Sequence, residues 1–302
     1  MTDAAICTRG LTKYYGDTAG IIDLELSVER GEVFGFLGPN GAGKTTTIRL
    51  LLNFLHPTRG AATVLGHDIV EDSIAIRRRI GYLPGDLALY GNMTARELLR
   101  YFSNLRRIDR KDRVAALAKR LDLDLDRKMK DYSTGSRQKV GLVNAFMHDP
   151  ELLILDEPTA GLDPLMQQEF QALVADTRER GKTMFLSSHI LSEIDRVADR
   201  AGIVRQGRLV AVDTIEAFKS KAHATVSLRF AAPVPREEFL ACDRVVSVDA
   251  RDHGTVLVVT VAGSVDAVVK AAARHRVESI SSRDGELEEV FLSYYTGTLD
   301  VP

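Results

Sequence analysis

The sequence has few cysteines, no long apolar run and no secretory leader pattern. Its 302 residues include two cysteines, Cys7 and Cys242, too few and too far apart in sequence for a disulfide framework or a zinc site. No apolar stretch approaches the ~18–20 residues that span a bilayer. Residues 1–4 lack the basic and apolar regions of a signal peptide, and no repeat or low-complexity tract stands out. These absences predict a reduced, cytosolic protein.

The sequence also lacks an excess of either charge. Lys and Arg total 40 and Asp and Glu total 42, for a formal charge of −2. This balance gives no net attraction to nucleic acid or anionic lipid, so we expect no nucleic-acid partner. The densest basic clusters, residues 77–79 and 106–107, are interpreted as solvated helix faces or turns. With 45% hydrophobic and 27% charged residues, the chain is expected to fold into about two globular domains.

Short apolar runs alternate with amphipathic helical patterns through the first two thirds of the chain. The clearest runs are residues 33–37, 152–155 and 184–186. After the first run, a helix is predicted over residues 44–55, with Pro57 just beyond its end. This alternation favours an α/β domain built on a largely parallel sheet.

Between residues 93 and 150 the strand patterns disappear, which predicts a helical subdomain inserted into the α/β core. One helix is predicted over residues 93–105, where Thr94 and Glu97 form a capping box. The residues expected to share one face of this helix are Leu98, Tyr101, Phe102 and Leu105.

The pattern changes again near residues 217–222, so we predict an N-terminal domain over 1–220 and a small α+β domain over 221–302. A helix is predicted over 265–273, and Gly254 marks a turn between two strands. The predicted strands are residues 225–230, 245–250, 256–261 and 277–281.

A glycine-rich motif links the first apolar run to the first predicted helix. It fits the pattern G-x-x-x-x-G-K-[ST] of the phosphate-binding P-loop. Its residues are Gly38, Pro39, Asn40, Gly41, Ala42, Gly43, Lys44 and Thr45, with Thr46 directly after them. The glycines let the backbone wrap around phosphate oxygens, and the helix directs its positive dipole end at the same anion. We expect Lys44 to neutralise the β and γ phosphates and the Thr45 hydroxyl to bind Mg²⁺.

Two acids end the buried run at residues 152–155. Without another motif nearby, Asp156 and Glu157 would be interpreted as ordinary acidic residues between a strand and a loop. Beside a P-loop, at the carboxyl edge of a parallel sheet, they indicate catalysis. Asp156 is expected to hold Mg²⁺, and Glu157 to polarise the water that attacks the γ-phosphate. A kinase, a GTPase and a helicase all remain compatible with these two motifs.

The segment 132–138 decides among these classes. It reads Tyr-Ser-Thr-Gly-Ser-Arg-Gln, opens a helix and shortly precedes the acidic strand. Here the sequence resembles the ATP-binding subunits of ATP-binding cassette (ABC) transporters, which carry a Leu-Ser-Gly-Gly-Gln-type signature at this place. Ser133 and Gly135 match that signature. Ser133 is also a suitable N-cap for its helix, and the two roles are compatible because a capped helix end can bind phosphate.

Other residues match the family in the expected order. By resemblance, Tyr15 is the aromatic residue that stacks on adenine, and His189 is the switch histidine that contacts the γ-phosphate. Asp163 matches the loop that crosses the dimer interface of the family. Because Asp163 precedes Pro164 and a helical pattern, a pure N-cap role is equally compatible with the sequence.

The family pattern fails at one position. After residues 79–84 the family usually has a glutamine that touches Mg²⁺ and the attacking water, whereas this chain has Gly85 followed by Asp86. Asp86 could replace it as a metal ligand if the loop shifts by one residue. The interpretation we favour is that the loop only packs against a partner.

The resemblance covers residues 5 to about 215, and residues 287–292 also resemble the accessory domain of daunorubicin-resistance-type (ABC-2-type) exporters. It implies a P-loop NTPase cassette that binds ATP and Mg²⁺ and works as a head-to-tail homodimer with an integral membrane permease. Through that permease the chain would sit at the inner face of the membrane and drive export of drugs, antibiotics or lipids. The alternatives are a soluble ABC-type ATPase and a nucleotide-sensing regulator.

Overall fold

A computed structural model describes residues 4–87, 91–221, 223–283, 290, 291 and 294. The chain divides into two compact units, residues 1–212 and residues 213–302. The assignment of residues 1–220 and 221–302 to functional domains stays a prediction.

The described residues form fourteen strands and ten α-helices. The strands are β1 (Ala4–Tyr15), β2 (Thr18–Glu29), β3 (Val33–Leu37), β4 (Arg59–Val64), β5 (His67–Asp68), β6 (Ile80–Leu83), β7 (Leu152–Asp156), β8 (Thr183–Ser188), β9 (Arg200–Arg205), β10 (Arg208–Thr214), β11 (Ala224–Phe230), β12 (Val245–Arg251), β13 (Val256–Val261) and β14 (Val277–Arg283). The helices are α1 (Lys44–Leu51), α2 (Ser73–Arg79), α3 (Ala95–Arg106), α4 (Lys111–Arg120), α5 (Thr134–Phe146), α6 (Pro164–Glu179), α7 (Leu191–Val197), α8 (Ile215–Lys221), α9 (Arg236–Leu240) and α10 (Asp266–Ala272). Short 3₁₀ turns lie at Met129–Asp131 and Asp252–Gly254.

The first unit is built on two sheets. A six-stranded sheet has the order β10-β9-β3-β8-β7-β6, and its strands β9, β3, β8, β7 and β6 pair in parallel. Every residue of β3 and β7 is buried, as expected for strands covered on both faces. A second, antiparallel sheet has the order β2-β1-β4-β5. The predicted α/β class with a largely parallel sheet is confirmed.

The first helix is shorter than predicted. The sequence pattern extended it over 44–55, but α1 ends at Leu51. Asn53 adopts a left-handed φ of 53°, and the N–H groups of Phe54 and Leu55 both donate to Arg49 O at 2.8 and 3.2 Å. The chain therefore folds back before Pro57 and leaves the Phe54 side chain 50% exposed.

Helix α3 begins as predicted but buries a different face. Thr94 Oγ1 accepts a hydrogen bond from Glu97 N at 3.2 Å, and Glu97 Oε2 accepts one from Thr94 N at 2.8 Å, so the capping box is confirmed. Leu98 is buried as expected, but Tyr101 is 41% and Leu105 63% exposed. The four residues predicted to share one face are therefore not buried together, because the buried side chains of the helix are Ala95, Leu98, Leu99 and Ser103.

The basic clusters are only partly solvated. Arg78 and Arg107 are exposed, as predicted. Arg79, in contrast, makes a two-pronged ion pair with Glu151, with both N–O distances 2.6 Å. The partly buried Arg106 donates to the carbonyl oxygens at positions 77 and 80. For Arg79 and Arg106 the solvated interpretation was wrong, since Glu151, just before β7, pairs with Arg79, and the backbone of α2 and β6 accepts hydrogen bonds from Arg106.

The second unit has a β-α-β-β-α-β order, from β11 through α9, β12, β13 and α10 to β14. Its sheet order is β12-β13-β11-β14, with antiparallel pairs throughout, which is the ferredoxin-like arrangement. The predicted strands, the helix at 265–273 and the turn at Gly254 are all found, with ends shifted by at most two residues. The resemblance at residues 287–292 lies mostly outside the described residues.

Candidate functional site

Four neighbouring parallel strands end at one edge of the sheet, and the candidate residues follow those ends. The P-loop follows β3, Gly85 follows β6, Glu157 follows β7 and His189 follows β8. Ligands of open α/β sheets bind at this carboxyl edge. A cavity of about 550 Å³ lies there.

The cavity collects most of the predicted site residues. The predicted residues that line it are Tyr15, Pro39, Asn40, Gly41, Gly43, Lys44, Thr45, Thr46, Asp156 and Glu157. Gly38 and the buried Ala42 belong to the same loop without lining the cavity. His189 reaches the site through Glu157, whereas the sequence-matched Ser133, Gly135 and Asp163 lie outside the lining.

Close backbone packing explains the glycines of the P-loop. A Cβ atom on Gly38 would lie 2.5 Å from Val204 O, and one on Gly43 would lie 2.7 Å from Gly20 O. Gly43 also precedes α1 with a φ of 109°, which a residue with a side chain rarely adopts. The loop therefore holds its curve around the cavity only with glycine at these positions.

Lys44 is buried at the mouth of this loop, with only 6% of its surface exposed. Its Nζ donates to Gly38 O at 2.6 Å and to Pro39 O at 3.3 Å, and it lies 3.4 Å from Glu157 Oε1. A buried ammonium group with carbonyl and carboxylate partners is held in place. It supplies a fixed positive charge at the floor of the cavity.

Asp156 is buried and accepts two hydroxyl hydrogen bonds. Thr45 Oγ1 donates to Asp156 Oδ2 at 2.9 Å, and Ser187 Oγ donates to Asp156 Oδ1. The paired hydroxyl and carboxylate oxygens are hard ligands of the kind that Mg²⁺ prefers. In the described part of the chain no group of three or more His, Cys, Asp or Glu side chains could hold a metal by itself. The Thr45 hydroxyl and the Asp156 carboxylate are the candidate oxygen ligands at this place.

Glu157 lies between two basic groups. His189 Nδ1 is 2.8 Å from Glu157 Oε2, and Lys44 Nζ approaches the other carboxylate oxygen. Glu157 has a φ of 49°, an uncommon conformation for a residue with a side chain. Its N–H donates to Ser187 O at 3.1 Å, and Gln138 Nε2 donates to its carbonyl oxygen at 3.0 Å. These backbone bonds fix the strained turn that directs the carboxylate into the cavity.

Tyr15 forms one wall of the opening. It is 45% exposed, and its hydroxyl lies 3.4 Å from Thr46 Oγ1. Lys13 Nζ is 5.7 Å from the ring centroid. An exposed ring at the rim of a phosphate cavity is suited to stack on a flat heterocycle.

The signature segment and the loop after β7 pack together, away from the cavity. Ser133 Oγ accepts from Ser136 N at 3.2 Å and caps α5, and Asp163 Oδ1 accepts from Met166 N at 3.0 Å and caps α6. A Cβ atom on Gly135 would lie 2.3 Å from Gly161 O, so the glycine permits this contact. Both residues have the N-cap role that their sequence context indicated.

Sequence reasoning missed two residues at the site. Gln138 stands in the signature segment and was given no role, although its amide also donates to Pro158 O at 3.1 Å. Tyr82 lines the cavity from β6. Burial and the nearby Asp156 charge raise the pKa of Tyr82 to about 12, so its hydroxyl keeps its proton at neutral pH. No local sequence pattern indicated Tyr82 as a site residue. Gln138 could have been found, because it belongs to the signature segment.

The cavity lining includes Gly85 and Asp86 at the place where the family pattern fails. A Cβ atom on Gly85 would lie 3.2 Å from Asp156 Oδ2. The role of Asp86 as a metal ligand or as a packing residue stays a prediction.

Known proteins resemble this chain over about 70% of its length. The family model described as "ABC transporter" matches residues 21–160. The bacitracin transport ATP-binding protein BcrA of Bacillus licheniformis is 41% identical over 208 residues, covering 68% of each chain. The daunorubicin resistance ATP-binding protein DrrA3 of Streptomyces coeruleorubidus is 41% identical over 226 residues, covering 73% of this chain and 72% of that one. A solved structure titled "Structure of ATP binding subunit of ABC transporter" is 30% identical with a TM-score of 0.67, covering 71% of this chain and 92% of that chain.

Proposed function

The chain belongs to the ABC transporter family as an ATP-binding subunit, and on that premise we propose that it hydrolyses ATP to drive transport by a separate membrane protein. The observation that carries this proposal is the convergence of Lys44, Asp156 and Glu157 on one cavity at the carboxyl edge of the parallel sheet. This cavity offers a fixed cation, a hydroxyl–carboxylate pair and a carboxylate base.

ATP binds with its adenine on Tyr15 and its phosphates in the P-loop, where backbone N–H groups and the start of α1 receive them. Lys44 neutralises the β and γ phosphates. Thr45 and Asp156 would hold Mg²⁺, which supplies further charge neutralisation on the phosphate oxygens. The 2.9 Å hydrogen bond between these two side chains keeps them side by side.

Glu157 acts as the base for the attacking water. Its carboxylate contacts both Lys44 and His189. When phosphate binds Lys44, the Glu157 oxygen that faced Lys44 becomes free in the cavity. The other oxygen stays paired with His189. Glu157 then accepts the proton of the water that attacks the γ-phosphate.

Two copies complete the site. Ser133 and Gly135 do not line the cavity of their own chain, yet α5 begins there with a capped N-terminus suited to a phosphate. In a head-to-tail dimer this helix end would meet the γ-phosphate held by Lys44 of the other copy, near Asp163. ATP then closes the dimer, and hydrolysis reopens it.

The membrane partner is an integral permease. None of the described helices is long and apolar enough to cross a membrane. We propose that the permease contacts the region around residues 82–102. Within this region, residues 88–90 are not among those that the structure describes. A groove of about 780 Å³ adjoins this region, lined by Phe102 and by the exposed Ile74 and Leu105. The relatives named for bacitracin transport and daunorubicin resistance favour export of antibiotics, other drugs or lipids from the inner face of the membrane.

Phosphate release from MgATP by the purified full chain tests the enzymatic part. Lys44→Ala removes the buried cation, so we expect weaker nucleotide binding and loss of turnover. Lys270→Ala, at a mostly exposed lysine on α10, is the matched control and should behave as wild type. Unchanged ATP affinity in Lys44→Ala would contradict the phosphate-clamp role.

A further inference from the structure

The nucleotide site has no side chain at the position where the family usually places a glutamine. A Cβ atom on Gly85 would lie only 3.2 Å from Asp156 Oδ2. Asp156 is held by hydrogen bonds from Thr45 and Ser187 and has little freedom to move away. A side chain at position 85 would therefore crowd the carboxylate, so a contact to the phosphates from this strand has to come from a neighbouring position.

Tyr82 is the polar side chain that strand β6 brings to this place. It pairs in register with Ile154 of β7, two positions before Asp156. It lines the same cavity as Thr45, Gly85 and Asp156. Among the described residues, none forms a hydrogen bond with the Tyr82 hydroxyl, so the O–H group is available to a ligand.

The Tyr82 ring is fixed by an aromatic neighbour. Its centroid lies 5.7 Å from that of Phe54, and the two rings are inclined at 57°. Such tilted pairs favour a defined ring position. A fixed ring holds its hydroxyl in one place, which lowers the entropy lost when the hydroxyl binds a ligand.

We infer that Tyr82 is a further ATP-binding residue, whose hydroxyl donates a hydrogen bond to the γ-phosphate beside Asp156. This inference rests on the proposed function. It places the contact at the terminal phosphate because Tyr82 lines the cavity together with Asp156 and Glu157 and lies on β6, which pairs with β7 next to them. The contact distinguishes ATP from ADP, which lacks the accepting oxygen.

The test compares binding of MgATP and MgADP by the full-length chain, in a Glu157→Gln background that prevents turnover. Tyr82→Phe keeps the ring and its packing on Phe54 but removes the hydroxyl. Loss of a hydrogen bond to a charged group should raise the Kd for MgATP by roughly tenfold or more. The Kd for MgADP should not change. Titration calorimetry measures both constants.

Tyr14→Phe is the matched control, since Tyr14 does not line the cavity, and it should leave both constants unchanged. An equal loss for MgATP and MgADP would mean that Tyr82 only supports the packing of the site. An unchanged Kd for MgATP would also overturn the inference while leaving the proposed function intact. If Glu157→Gln alone failed to bind MgATP, the proposed function would fall and this inference with it.

Discussion

At the scale of single residues, the site is a set of charged side chains centred on the Glu157 carboxylate. Glu157 is engaged by Lys44 and His189, and its strained backbone is pinned by Ser187 and Gln138. Strain of this kind costs about 1–3 kcal/mol and is usually found where function requires it. Under the proposed function, phosphate would take over Lys44 and leave one Glu157 oxygen to act on the attacking water.

Glu157→Gln keeps the shape of this side chain but removes the base. We expect phosphate release to fall by about 10²-fold or more, the usual contribution of a general base, while ATP binding persists. The measurements are a phosphate-release assay and titration with ATP. Glu237→Gln, at an exposed position on α9, serves as the control. Turnover at the wild-type rate in Glu157→Gln would remove Glu157 from the mechanism.

Gly85→Ala tests how closely the β6 loop approaches Asp156. The added Cβ would push on Oδ2 at 3.2 Å, so the carboxylate must give up part of its bond to Thr45. We expect the Mg²⁺ concentration that half-saturates ATP hydrolysis to rise several-fold. Gly91→Ala is the control, because its Cβ would meet the nearest atom at an ordinary 3.6 Å. An unchanged Mg²⁺ dependence would show that the site has room for a side chain at position 85.

At the scale of elements, the N-terminal ends of helices provide the backbone N–H groups that we propose bind phosphate. Helices α5 and α6 begin with side-chain caps at Ser133 and Asp163, and α1 begins at the P-loop without one. The uncapped N–H groups of α1 are free for phosphate, whereas α5 has a cap and a proposed ligand on another copy. Capping and phosphate binding can be separated by substitution.

Ser133→Asp keeps a good N-cap but adds a negative charge at the helix end. It should preserve the fold and abolish ATP-driven dimer formation, because the charge repels the γ-phosphate of the other copy. Ser133→Ala should instead cost about 1 kcal/mol of helix stability and weaken the dimer less. Light scattering with ATP, beside thermal unfolding, distinguishes the two. A normal dimer in Ser133→Asp would contradict the contact across the interface.

His148 connects the end of α5 to strand β6 and makes stability depend on pH. Its Nε2 lies 2.9 Å from Ile80 O, and burial together with the Arg106 charge lowers its pKa to about 4. In the unfolded chain the pKa is about 6.5, so between these values the unfolded state binds more protons. Stability is therefore lost as the pH falls through this window, by up to about 3 kcal/mol.

Urea unfolding at neutral pH and at about pH 5 measures this effect. His148→Gln should flatten the difference between the two conditions, whereas His56→Gln, at an exposed position, should retain it. Equal pH dependence in wild type and His148→Gln would show that other groups dominate.

At the scale of the whole molecule, the sequence predicted what depends on local pattern. The P-loop, the paired acids, strands β3, β7 and β8 of the first unit and the four strands of the second could be read directly, because each requires particular residues at fixed spacing. The end of α1, the buried face of α3 and the partners of Arg79 could not, since tertiary packing decides them. Tyr82 was missed for the same reason: only the pairing of β6 with β7 brings it to the cavity.

The proposed partnership can be tested on the intact chain. After gentle solubilisation of native cells, affinity purification followed by mass spectrometry should recover a polytopic membrane protein in a stoichiometric amount. The sequence of that protein would also narrow the transported substrate. Recovery with ribosomal or DNA-bound proteins, and without a membrane protein, would contradict the transporter assignment.

The molar mass of Glu157→Gln in the presence of MgATP tests the ATP-driven motor most directly. If two copies enclose ATP between Lys44 of one and Ser133 of the other, light scattering should give twice the 33.3 kDa of one chain, and the single-chain mass without nucleotide. A mass that stays at 33.3 kDa with saturating MgATP would contradict the head-to-tail mechanism.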